Sequence, residues 1–454
     1  MKSLSTPSEK TRALINPSPV ERTDFVRRHR ILVLFKNIFG LPIPILLLVF
    51  AALLPAQTWF SVALGWTICF LSIMYIFVDR FSNSQEFHFF TIGGDLPILF
   101  FVISTFWGLP MTGPTEFINL LSGLGWILLI YMLAYTLDLF PGLNRLFAVF
   151  FITSIVISLL AIYQALTGQA VLPWSEVSSA GNALWPHLSE GFGVQETSEM
   201  FTLMAPLLLP LPMSSWLMAR HRLSAAGVGA VLGGSVMATA AILTLRFETF
   251  WIALALTLIL LYLTSKKYLV WMLIPLFFVW FSVDYFGLYE SLGQQLSQSA
   301  LWSWDLRQEL IDHQLKIFAQ SPWLGVGYEH NLASLRDFVA NKGLAPLVVN
   351  GAPNTYFQLL VTTGIVGLAL YLLFILASLL VSHRLLSDIP QSHYWHRVFV
   401  MASLGVQIGF HITGLFVWSF GYAALTFLYA FHVAVVAYMA KCYQKGIVPD
   451  DQAL

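Results

Sequence analysis

Charge is what this chain has least of. Lys, Arg, Asp and Glu make up 10% of its 454 residues, and hydrophobic residues 57%. An ordinary soluble chain carries about 25% charge, so a single water-soluble globule is excluded. Cysteine is nearly absent as well: Cys69 lies in an apolar run and Cys442 in the C-terminal tail. Neither a disulfide framework nor a cysteine metal site follows from two such residues. No D-x-D occurs anywhere, and no His/Glu cluster has metal-ligand spacing on the side of the membrane assigned below as the outer one. No phosphate-loop pattern is present either. About 30 polar residues precede the first apolar run without a small-residue cleavage pattern, so the N-terminus reads as a disordered tail and not a signal peptide.

What the chain has in abundance is apolar length. Stretches of about 20 residues, enough to cross a bilayer as helix, recur along it. Transmembrane β-strands would be shorter and alternating. The expectation is an all-α polytopic membrane protein with about twelve spans: 37–54, 57–78, 90–109, 118–137, 146–166, 199–219, 223–245, 247–264, 268–287, 355–381, 397–416 and 419–440. With the N-terminus in the cytoplasm, 18 of the 23 Lys/Arg residues fall on the inner side and five outside, as the positive-inside rule demands. Both termini are then cytoplasmic. The chain divides into a tail 1–30, spans one to nine within 31–287 including an outer loop 167–198, a large outer loop 288–354, spans ten to twelve within 355–440, and a tail 441–454.

Two arginines stand out among the five outer cations. Arg246, in "LTLRFETFWIAL", sits at the outer end of span seven, two residues before Glu248. Charge at mid-membrane is costly, which favours the interface. The run "SWDLRQELIDHQLKIFA", 303–319, reads as an amphipathic helix in the large loop. Leu306, Leu310, Ile311, Leu315, Ile317 and Phe318 form its apolar face, and Arg307 interrupts that face. Paired guanidiniums grip phosphate oxygens through a fixed fork. The structural alternatives are an Arg246–Glu248 or lipid-phosphate pair, and an Arg307 that snorkels. "QSPWLGVGYEHN", 320–331, follows as an ordinary tight turn. "APNTYFQLLVTTGIVGLALYL", 352–372, then enters span ten. Asn354 there either caps the helix or, with Tyr356 and Gln358, offers hydrogen bonds to a sugar. Glu196 and Glu199 are the closest outer acidic pair, where helix N-terminal stabilisation also accounts for them. The outer histidines, His313 among them, serve as surface residues or as bases.

The run "LRQELIDHQLKIFAQSPWLGVGYE", followed at a distance by "APNTYFQLLVTTGIVGL", resembles the O-antigen ligase and polymerase superfamily. "GFGVQETSEMFTLMAPLLLPLP" and "LTLRFETFWIAL" look like the segments that enter its middle spans and bear its span-junction arginine. The resemblance covers roughly 190–372. One departure is clear: Pro353 stands where the family carries a histidine before the asparagine.

The resemblance implies a bacterial inner-membrane glycosyltransferase of GT-C type, without metal or other cofactor. Its donor would be an undecaprenyl-diphosphate-linked glycan and its acceptor another glycan or lipid. Membrane lipids and other polysaccharide-assembly proteins would be its remaining partners, with no nucleic acid. Arg246 and Arg307 would hold the diphosphate. Glu248 would orient Arg246 or take the acceptor proton in place of the missing histidine, with His313, Glu196 and Glu199 completing the catalytic candidates. Tyr328, Asn354, Tyr356 and Gln358 would contact glycan or acceptor. A lipid or sugar transporter, or flippase, is the rival class. It calls for inverted repeats and interrupted helices at mid-membrane, and no repeat is visible.

Overall fold

The computed structural model describes residues 33–53, 59–83, 114–139, 142–167, 304–342, 354–390, 392–415 and 423–446. Among them every regular element is helical and no strand occurs. The helices are α1 (Pro42–Leu53), α2 (Trp59–Asn83), α3 (Pro114–Thr136), α4 (Leu143–Thr167), α5 (Trp304–Phe318), α6 (Tyr328–Asn341), α7 (Thr355–Asp388), α8 (Tyr394–Thr413) and α9 (Ala423–Gln444). Three are long and apolar enough to cross a membrane: Val33–Leu53, which contains α1, the whole of α7, and Thr426–Gln444 of α9. This is a multi-pass α-helical membrane protein. The expected spans at 90–109 and from 199 to 287 lie outside the described residues.

The bundle is built around α9, which is buried on every side from Thr426 to Ala440. It packs on α3 above all, then on α7, α8 and α2. Large rings fill the interior: Trp126 meets Phe374 at 6.0 Å and Tyr429 at 5.9 Å between centroids, and Phe147 stacks on Phe399 at 3.8 Å. The outward faces are equally apolar. Phe70, Ile73 and Phe77 on α2, Ile152, Val156, Leu159 and Tyr163 on α4, and Leu372, Leu376 and Leu380 on α7 are exposed at helical spacing. A soluble protein would place polar residues there; lipid tails make the apolar stripe the stable choice.

Several polar groups inside the bundle meet a partner on another helix. Ser403 Oγ lies 3.0 Å from His432 Nδ1, and Gln407 donates to Ser382 Oγ at 2.9 Å. His411 sits between Tyr371 and Tyr429, with its two ring nitrogens 3.5 and 3.2 Å from their hydroxyls. Such bonds hold helices together where apolar burial gives no drive for association.

Candidate functional site

The site forms at the end of the bundle where α7 begins and α8 ends. Asn354 has extended backbone and caps α7: its Oδ1 accepts from the amides of Tyr356 and Phe357 at 2.8 and 3.1 Å. Its Nδ2 donates to the Leu415 carbonyl at 2.8 Å, and the Thr355 amide donates to Gly414. The Tyr356 hydroxyl donates to the His411 carbonyl at 2.9 Å. Of the two roles open to Asn354, capping is the one its hydrogen bonds serve. Asn354 and Tyr356 together lock α7 to α8.

α7 is not one continuous helix. Gly364 has φ of 68°, in the left-handed region, and divides a short arm, 355–363, from the long lipid-facing segment. Opening the helix there frees two carbonyls and two amides that would have bonded to each other, 361 with 365 and 362 with 366. The turn after α5 supplies new partners for all four. Val326 donates to the Val361 carbonyl at 2.9 Å and Gly327 to that of Thr362 at 3.0 Å. In return Ile365 donates to Pro322 at 2.9 Å and Val366 to Trp323 at 3.3 Å. The expectation of an ordinary turn is thereby corrected: this one is spliced into the hydrogen-bond ladder of a membrane helix. The approach is backbone on backbone. A Cβ on Gly325 would overlap the Thr362 carbonyl, and one on Gly364 would overlap that of Trp323.

Beyond the turn, α5 and α6 pack on the arm and on each other. α5 buries Leu310, Gln314 and Ile317, a stripe at i, i+4, i+7. The expected apolar face included Leu315, which is instead 42% exposed. Gln314 takes the inward place because an amide awaits it: its Nε2 donates to Gln358 Oε1 of the α7 arm at 3.4 Å. Asn331, in the first turn of α6, is also fully buried. Among the described residues Gln314 Oε1 and both amide atoms of Asn331 find no partner. Buried amides in this state are unusual and mark places where water or ligand supplies the missing bonds. The sequence reading overlooked Gln314 and Asn331; a polar residue on the 310–317 stripe was the one available signal.

His313 ties α5 to α6. Its ring stacks on Phe338 at 4.5 Å, and Nε2 lies 3.0 Å from Ser334 Oγ and 3.3 Å from the Ser334 carbonyl. A carbonyl only accepts, so Nε2 is the donor in that contact. Lys342, just past the end of α6, pairs with Glu309 of α5 at 2.8 Å, both half exposed. Tyr328 is the first residue of α6 and follows Gly327 of the splice. Arg307 lies in the first turn of α5, at the position three before Leu310 and seven before Gln314. Position 307 thus shares the helical register of Leu310 and Gln314. Arg246, Glu248, Glu196 and Glu199 lie outside the described residues. Among the described residues no three His, Cys, Asp or Glu side chains group as metal ligands.

The segment just described is also where the chain is similar to known proteins. Residues 202–372 match the family model of O-antigen ligase. The match covers less than half of the chain. It contains α5, the splice, α6, the α7 arm and the Gly364 break, together with Arg246 and Arg307. The protein is thus membrane-embedded and carries an O-antigen-ligase-like region, which points to glycan ligase or polymerase chemistry in general terms. No curated protein matches the chain.

Proposed function

We propose that this protein is a glycosyltransferase of the bacterial inner membrane, which transfers or polymerises a glycan from an undecaprenyl-diphosphate-linked donor on the periplasmic side. The observation that carries this reading is the coincidence of the O-antigen-ligase match with a loop helix, bearing Arg307, fastened to the head of a membrane helix. The acceptor oxygen attacks the anomeric carbon, the bond from that carbon to the diphosphate oxygen breaks, and its electron pair leaves with the lipid diphosphate. Negative charge grows on the leaving group, and cations already in place lower that barrier. Arg246 and Arg307 fill that role in the proposal. Glu248 receives the acceptor hydroxyl proton, with His313 Nδ1 the alternative acceptor from the loop and Glu196 and Glu199 the remaining catalytic candidates. Glycan contacts fall to Tyr328 and to Gln358, since the hydrogen bonds of Asn354 and Tyr356 described above are spent on α8.

Reconstitution of the purified chain in lipid with an undecaprenyl-diphosphate-linked oligosaccharide tests the reading. Products are resolved by size, with and without EDTA. A ladder of lengthened glycans is the expected result for a polymerase, and a single-step product on an added acceptor for a ligase. Either should survive EDTA, because the two arginines neutralise the diphosphate. Movement of intact donor across the bilayer without a new glycosidic bond would make the protein a flippase. Activity lost with EDTA and restored by magnesium would transfer the leaving-group role to a metal, with Glu196 and Glu199 its first candidate ligands.

A further inference from the structure

We infer that the glycine pair Gly325 and Gly364 is a positioning device: it makes α5 and α6 an immobile wall of the site and fixes where α5 presents Arg307. A loop of some sixty residues over a membrane site invites description as a lid. The hydrogen-bond exchange argues the reverse. Residues 322, 323, 326 and 327 occupy the four main-chain groups that the Gly364 break would otherwise leave open. If the turn lifted away, two carbonyls and two amides of α7 would lose their partners together. Unmet main-chain groups at membrane depth are among the costliest features a helix can carry.

The two glycines are needed as a pair. Each has positive φ, 74° at Gly325 and 68° at Gly364, and each would push a Cβ into the main chain of the facing segment. A side chain at either one would overlap the facing main chain, and the two backbones would have to move apart. α5 ends at Phe318, and Ser321 already closes the turn by accepting from the Gly325 amide at 2.9 Å. Little chain is left between α5 and the splice to absorb motion. The Gln314–Gln358 amide contact fixes the roll of α5 about its own axis. Joint and amide contact together determine the position of the helix that carries Arg307.

The experiment uses the full chain with Trp323→Cys and Val366→Cys. These exposed residues are joined by one of the four main-chain bonds, and the native Cys69 and Cys442 are buried. Cross-linking is read without turnover, and glycan transfer, which rests on the glycosyltransferase reading, is read separately. The disulfide is expected to form quickly and nearly completely, and the cross-linked chain to keep its transfer rate within about twofold. Gly325→Ala in this background should slow cross-linking and lower kcat about tenfold or more, with a smaller change in KM for the donor. Closing the disulfide in that variant should restore much of the rate, which a merely unfolded loop would not allow. A cross-linked parent that loses transfer and regains it on reduction would make the joint a lid and overturn the inference. So would a parent pair that fails to cross-link, or a Gly325→Ala chain that cross-links and transfers like its parent. A parent that cross-links fully but transfers no glycan would refute the glycosyltransferase reading alone.

Discussion

Arginine and lysine carry the same charge, and the difference between them is the sharpest residue-scale test of the proposed chemistry. A guanidinium offers two parallel N–H bonds to a phosphate, whereas an ammonium offers a point charge on a flexible stem. A charge-assisted hydrogen bond contributes roughly 1.5–3 kcal/mol. Losing one at the transition state therefore lowers the rate about ten- to a hundredfold. Arg307→Lys and Arg246→Lys are each expected to lose transfer on that scale while the amount of folded protein in the membrane stays close to wild type. The double variant should be little worse than the worse single one, because groups that act as a unit are not additive. Arg336→Ala, exposed on α6, and Lys342→Ala, which gives up a half-exposed pair with Glu309, are the controls. A pair of that kind contributes less than about 1 kcal/mol. If both lysine variants turn over normally, the arginines are interface anchors and the leaving-group assignment falls.

At the scale of elements, the parts legible in sequence were those written in side-chain periodicity. The described parts of the spans expected at 37–54, 57–78, 118–137, 146–166, 355–381, 397–416 and 419–440 lie mainly on helices, as does that of the loop segment at 303–319. The splice was not legible, because its bonds are main chain to main chain and leave only glycines and a proline as a trace. The inward turn of Gln314 was hidden for a related reason: its partner, Gln358, is 44 residues away. Asn354 was legible as one of two roles, and it yields an element-scale prediction. Its Oδ1 satisfies two amides at the head of α7, and substituting such a cap with alanine costs about 1 kcal/mol. Asn354→Ala should lower the thermal midpoint of the purified chain. Asn354→Asp, which keeps the acceptor, should hold both the midpoint and the transfer rate. An Asp variant that stays folded but stops transferring would return Asn354 to the sugar contacts.

For the molecule as a whole, the distribution of Lys and Arg predicts which side of the membrane the site faces. Eighteen of 23 cations lie on one side of the expected topology, and a shift of the count by one span would scramble the bias. Within the described residues α7 and α8 run antiparallel, so Asn354 and Leu415 share one end while His393, His396 and Tyr443 meet at the other. Lipid-linked glycan chemistry on the periplasmic side requires α5, α6 and the head of α7 to face outward. Single-cysteine labelling reads this directly, since Cys69 and Cys442 are 1% and 5% exposed and form a nearly silent background. Ala340→Cys, exposed near the end of α6, should react with an impermeant maleimide in intact spheroplasts. Ser178→Cys, in the expected outer loop 167–198, should do the same. Gln444→Cys, exposed at the end of α9, should react only after lysis. The reverse pattern would turn the molecule over and place Arg307 in the cytoplasm. A periplasmic leaving diphosphate could not then be its ligand, and the proposed reaction would have to be abandoned along with the orientation.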